Sequence, residues 1–223
     1  MVVKVYYWPG FMGRAGASIR MLHEAGVAFE HVSDMGEMSQ KAAAFGAETG
    51  NIAPPIVEDG DLIYSQSTAC AMYIGKTYGF PAPDDCKAVQ IMEDIKDKFE
   101  NGISKNQEDA KKLKEFLKGD GTKPSRFSVF ASAIERNVVG PFFFGEKMSY
   151  VDFYFANAYA SNEDGMKKLM DKTGDDFFTP YPKLQAIAKA IRGLESMKGS
   201  DLITLPADMF GIKDEVVEEY MKL

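Results

Sequence analysis

Histidine and cysteine are almost missing from this chain: His23 and His31, Cys70 and Cys86, in 223 residues. Two histidines leave little material for an imidazole metal site or a histidine-based catalytic triad. The two cysteines show no metal-ligand or redox spacing, so no metal is expected, a disulfide is disfavoured, and a reducing cytoplasm is the default compartment. Basic clusters are missing too. A formal net charge of −7 argues against nucleic acid or an anionic membrane as the main partner, because phosphate surfaces demand a basic face. No apolar run approaches the length of a membrane span. The start, Met1-Val2-Val3-Lys4-Val5, runs straight into a strand pattern, and no signal peptide is expected there.

What is present has the composition of a globular protein, with 45% apolar and 26% charged residues. The most informative stretch is Ala53 to Thr68. Pro54-Pro55 opens it, Asp59-Gly60 sits between two apolar runs, and Ser65-Gln66-Ser67-Thr68 precedes the run Ala69 to Ile74. Proline is tolerated at a strand start, and Asp-Gly between apolar runs signals a tight hairpin. The hydroxyls then fall where a helix start needs acceptors, at a terminus suited to a carboxylate. Upstream, Val2 to Trp8 reads as a buried strand, Ala15, Ile19 and Leu22 mark a helix face, and Phe29 to Val32 a second strand. Met38 to Phe45 is a weaker helical piece. Together these predict a mixed sheet with helices packed on it.

Gly79 to Asp85, with Pro81 and Pro83, reads as a linker. Beyond it the pattern turns helical. Ile91, Met92, Ile95 and Phe99 form a stripe, as do Phe127, Phe130, Ala131 and Ile134. Lys105 to Lys118 is so charged that a solvated extension or loop-helix is expected. Ser149-Tyr150-Val151-Asp152 matches a capping box ahead of an apolar helix, and Pro180, Pro182 and Gly193 bracket another.

In this order and spacing the chain resembles the cytosolic glutathione transferase family. The resemblance is carried by Pro55…Asp59-Gly60-Asp61…Gln66-Ser67, by Lys4-Val5-Tyr6-Tyr7-Trp8 with Gly13-Arg14-Ala15, and by Phe142 to Asp152. It implies a thioredoxin-like domain over 1–79, a linker over 80–86 and an all-helical domain over 87–223, in a cytoplasmic homodimer. It also implies a tyrosine-type class (sigma, alpha, mu or pi) and a detoxification chemistry: Tyr7 donates a hydrogen bond to the glutathione thiolate, which attacks hydrophobic electrophiles. Glutathione is the co-substrate, with no separate cofactor. Tyr6 and Tyr7 point to opposite faces of a strand, so only one can serve, and the family pattern selects Tyr7 over plain strand packing.

The resemblance further assigns Pro55 as the cis proline of the pocket floor, and Gln66 and Ser67 to the γ-glutamyl end. Pro54 departs from the family pattern: lacking an N–H, it removes a donor at the point where the tripeptide backbone pairs. Arg14 is open between a source of positive potential and a structural ion pair. Asp97 matches the acid that reaches the glutathione amine from a neighbouring subunit, or belongs to a solvated face. Lys41 is the candidate for the glycine carboxylate, since the family's tryptophan and lysine in that segment have no clear counterpart. Phe11, Met12, Phe99, Ile103 and, from the C-terminal tail, Phe210 are the candidates for an apolar electrophile pocket. Two other functions fit the same resemblance: a glutathione-dependent isomerase of the prostaglandin D synthase kind, and a glutathione or hydrophobic-ligand binding protein without turnover.

Overall fold

The computed structural model describes residues 2–49, 53–198 and 211–223. Its first half-sheet is built as a β-α-β unit: β1 (Val3–Tyr6), a 3-10 turn (Gly13–Ala15), α1 (Gly16–Glu24) and β2 (Phe29–Val32), with β1 and β2 parallel. After α2 (Met35–Thr49) come the antiparallel strands β3 (Ile56–Asp59) and β4 (Leu62–Ser65), giving the sheet order β2-β1-β3-β4. Asp59 pairs with Leu62, so the hairpin turns on Gly60 and Asp61, with Gly60 at φ +62°. A positive φ of this kind is cheap only for glycine. α3 (Ser67–Thr77) follows directly. α2 is longer than its weak sequence pattern suggests. Met38 and Ala42 pack it onto the Tyr6, Val32 and Ile56 side of the sheet, so tertiary burial outweighs modest propensity.

The chain between α3 and α4 (Asp85–Asp94) is pinned rather than loose. Phe80 is 9% exposed and meets Phe153 edge-on at 4.8 Å, and its backbone takes a hydrogen bond from the Tyr150 N–H at 2.9 Å. Helices then fill the remainder: α5 (Asn101–Ser104) after a π-helical segment (Ile95–Glu100), α6 (Ala110–Lys118), α7 (Arg126–Glu135), α8 (Tyr150–Thr173), α9 (Pro182–Arg192) and, after a 3-10 turn (Glu195–Met197), α10 (Asp214–Lys222). Of the two expectations for Lys105 to Lys118, a solvated extension or a loop-helix, the structure has a loop and then α6, which is not a solvated extension. Ala110, Leu113, Phe116 and Leu117 are buried there, and Asp109 caps the start through the Lys112 N–H at 3.0 Å. Its charges occupy the outer face only, as an amphipathic helix requires.

α8 runs through the centre of the helical layer, with Tyr150 to Ala160 buried. Its capping box is present. Asp152 accepts from the Ser149 N–H at 2.8 Å, from the Ser149 hydroxyl at 2.7 Å and from the Phe143 N–H at 2.9 Å. Burial pushes the Asp152 carboxyl up, against the pull of these donors. The overall architecture is a thioredoxin-like N-terminal domain followed by an all-helical one. Among the described residues no helix is long and apolar enough to cross a membrane.

Candidate active site

Side-chain alternation separates the two tyrosines, as period-two strand geometry demands. Tyr6 goes to the α2 side. Its hydroxyl donates to Glu58 at 3.1 Å, the Lys41 ammonium lies 5.7 Å from its ring centroid, and Lys41 pairs with Glu58. Burial, and then the Glu58 carboxylate, push the Tyr6 hydroxyl well above the usual phenol range. Lys41 is therefore placed on the Glu58 side of the sheet, away from Tyr7.

Tyr7 goes to the opposite face and joins the main core at 6% exposure. Its backbone N–H extends the β1–β2 ladder by donating to Val32 at 3.1 Å. Phe11 meets its ring edge-on at 5.8 Å. The Tyr7 hydroxyl accepts from the backbone N–H of Arg14 at 2.9 Å. That approach depends on Gly13: at φ +42°, a Cβ there would stand 2.5 Å from the Tyr7 hydroxyl.

A cavity of about 330 Å³ opens at Tyr7, between the sheet domain and the helices. Trp8, Phe11 and Ile103 give it apolar lining, and Asn101, Ser104, Gln107, Ser161 and Asn162 give it polar lining. Arg14 is the one charged side chain lining it among the described residues, and its guanidinium donates to Asn101 Oδ1 at 2.9 Å. Of the expected pocket residues, Phe11 and Ile103 line this cavity. Met12 is core at 3% exposure and does not line it. Phe210 and the side chain of Phe99 lie outside the described residues.

The sheet register brings the remaining expected residues to the same end. Tyr6 pairs with Ile56 and Ile56 with Ser65, so one further step places Pro55 opposite Tyr7 and Gln66 opposite Pro55. At about 4.8 Å per strand, this row spans roughly 10 Å. The Pro54–Pro55 bond is cis, and Pro54 offers no N–H beside it. Gln66 sits at φ 73°, a left-handed position rare for a residue other than glycine, and precedes α3 without a side-chain cap. By contrast Asp84, Asp109 and Ser125 cap α4, α6 and α7. Of the hydroxyls expected to cap α3, that of Ser65 is buried without a hydrogen-bond partner, while those of Ser67 and Thr68 bond elsewhere. Ser67, 5% exposed, is hydrogen-bonded to the Tyr154 hydroxyl at 3.1 Å. Thr68 donates to Glu93. Burial raises the Glu93 carboxyl, but Lys96 and Thr68 outweigh it and hold the group below the usual carboxylate range. Asp97 is exposed and lies on a different groove of about 480 Å³, beside Lys105 and Arg126.

Cys70 is a structural thiol. Burial pushes it up to about 12, and it donates weakly to the Pro55 and Tyr64 carbonyls. Among the described residues no group of three or more histidines, cysteines or acids is placed to hold a metal. Sequence reading missed the polar lining and, deeper, Asn157, whose amide donates to the Gly13 carbonyl at 2.8 Å. The available signal was an asparagine inside the apolar run Val151 to Ala160, since a buried amide needs a partner.

Residues 93–199 match the family model described as glutathione S-transferase, C-terminal domain. No curated protein matches the chain. Among solved structures, the glutathione S-transferase of Ascaris lumbricoides is 19% identical, with a TM-score of 0.65, covering 89% of this chain and 95% of that one. The prostaglandin synthase D of Nilaparvata lugens is 24% identical, with a TM-score of 0.59, covering 89% and 96%. The glutathione transferase Omega 3C of Trametes versicolor is 16% identical, with a TM-score of 0.65, covering 92% and 90%. At these identities the likeness is one of fold, and it leaves the chemistry to the site.

Proposed function

We propose that the chain is a glutathione transferase of the tyrosine type, with Tyr7 as the hydrogen-bond donor to the glutathione thiolate. The observation that carries this reading is the row Tyr7, Pro55 and Gln66, set against a cavity at the Tyr7 hydroxyl. Extended glutathione spans about 10 Å from its γ-glutamyl carboxylate to its central cysteinyl thiol, the length of that row. Its γ-glutamyl carboxylate meets the uncapped start of α3 at Gln66 and Ser67, where backbone N–H groups favour an anion. Its thiol falls at Tyr7. The Arg14 N–H bonded to the Tyr7 oxygen orients the phenol and makes its own proton the better donor.

The thiol proton leaves to solvent, and Tyr7 stabilises the sulfur anion that remains. The sulfur pair then forms a bond to an electrophilic carbon, and the leaving group departs with its own electron pair. Phe11, Trp8 and Ile103 supply apolar contact to the electrophile. Asn101, Gln107 and Asn162 offer amides to oxygen atoms on it. That polar lining also supports a glutathione-dependent isomerisation of an oxygenated substrate, the second reading; the Nilaparvata lugens neighbour is named for prostaglandin synthesis. A homodimer is part of the proposal, supported by exposed Leu62 and Tyr64 on the edge strand β4.

Trp8 is the chain's single tryptophan and lines the cavity, so its fluorescence reports occupancy. Glutathione should change that emission saturably, and the protein should conjugate glutathione to an activated haloarene. Binding without conjugation or isomerisation of any electrophile tried would favour the binding-protein function instead.

A further inference from the structure

One peptide unit, Gly13–Arg14, is held at both ends by side chains from different domains. Its carbonyl oxygen accepts from Asn157 Nδ2 at 2.8 Å, and its N–H donates to the Tyr7 hydroxyl at 2.9 Å. The carbonyl and the N–H belong to a single conjugated plane. A donor on the oxygen draws electron density from the nitrogen and makes the N–H a stronger donor in turn. The chain of bonds therefore runs from the Asn157 amide, through the peptide, to the phenol oxygen.

Asn157 is 3% exposed on α8, between buried apolar neighbours. Its Oδ1 is buried without a hydrogen-bond partner, and lies where a Cβ on Gly16 would stand, 1.8 Å away. A leucine would fill this space with no orphaned oxygen. What the asparagine adds is a second donor, and the one from a side chain of the helical domain, on a Gly13 carbonyl that also accepts from the Gly16 backbone N–H. Both glycines are required for the arrangement, Gly13 against the Tyr7 hydroxyl and Gly16 against the Asn157 amide.

We propose that Asn157 is a positioning residue through which the helical domain sets the donor strength of Tyr7, acting by way of the Gly13–Arg14 peptide. The proposal rests on the reading of Tyr7 as the thiolate donor. Among the described residues, the titratable groups beside Tyr7 are the Arg14 guanidinium, which lines the same cavity, and His31, which is hydrogen-bonded to the Tyr7 backbone. Substituting Asn157 changes neither.

The test uses the full chain as wild type, Asn157→Leu, Tyr7→Phe and the double variant, with Asn157→Ser as a smaller replacement should leucine crowd Gly16. Ultraviolet titration of bound glutathione reads the thiolate. Loss of the relay should raise its midpoint by roughly 0.3–1 pH unit. Conjugation below the midpoint should fall by about 2- to 10-fold and recover at alkaline pH, with the KM for glutathione unchanged. In the Tyr7→Phe background the Asn157 substitution should add nothing. An unchanged midpoint in folded variants, or a rate loss that persists at alkaline pH, overturns the proposal. A separate titration of the Tyr7 hydroxyl in ligand-free protein, taken as the difference from Tyr7→Phe, distinguishes the two readings. A hydroxyl that moves to higher pH in Asn157→Leu, in a protein whose wild type forms no thiolate, upholds the relay and sinks the thiolate reading.

Discussion

Tyr6 and Tyr7 are the same residue type, one bond apart in the chain, and the sheet sends them into opposite environments. The Tyr6 hydroxyl spends its proton on Glu58, beneath Lys41, in a cluster that fastens α2 to the sheet. The Tyr7 hydroxyl is approached by a backbone N–H and opens on a cavity. A carboxylate acceptor beside a phenol locks its proton in place, whereas an amide donor polarises it for use elsewhere. Strand alternation decides the chemistry here, and residue identity alone does not.

Breaking the Tyr7 side should have the largest effect. Tyr7→Phe removes the donor to sulfur and should lower kcat/KM for conjugation by about 10²–10³-fold at neutral pH, measured with saturating electrophile. Gly13→Ala comes next. The added Cβ would stand 2.5 Å from the Tyr7 hydroxyl at a φ of +42°; displacing the phenol by about 1 Å should lower turnover by up to about 10²-fold. Pro54→Val restores an N–H beside the cis proline and should tighten glutathione by about 2- to 12-fold, read from Trp8 fluorescence. An unchanged affinity would show that the tripeptide does not pair at that position.

The Tyr6 side should answer differently. Tyr6→Phe should leave turnover within about 2-fold and lower stability by roughly 0.5–1.5 kcal/mol in urea unfolding. The smallest effect concerns acid. Burial raises the Glu58 carboxyl, but Lys41 and Tyr6 outweigh it, so the folded value lies below the usual carboxylate range. A group lowered on folding contributes stability that is complete above the unfolded pKa, about 4.3, and is lost as pH falls through the folded value. Lys41→Met should therefore flatten this acid limb of the stability curve, with catalysis near neutral pH intact.

The parts of this molecule readable from its sequence are those whose causes are local. The Asp59-Gly60 hairpin and the Ser149–Asp152 cap need only neighbours within a few residues. α6 was obscured because lysines and glutamates outnumber the stripe Ala110, Leu113, Phe116 and Leu117 that packs it. The polar lining of the cavity and the contact of Asn157 with Gly13 depend on how α8 crosses the sheet domain, and no local pattern encodes a pairing between residues that far apart. Lys41, expected from its place in the sequence at the glycine carboxylate, pairs with Glu58, a contact that likewise depends on how α2 packs on the sheet.

The most direct test is the ultraviolet spectrum of bound glutathione at neutral pH in wild type, Tyr6→Phe and Tyr7→Phe. Thiolate absorbance should be present in the first two and lost in the third. A thiolate band that survives Tyr7→Phe, or disappears in Tyr6→Phe, would contradict the assignment of Tyr7 as the residue that holds the sulfur anion.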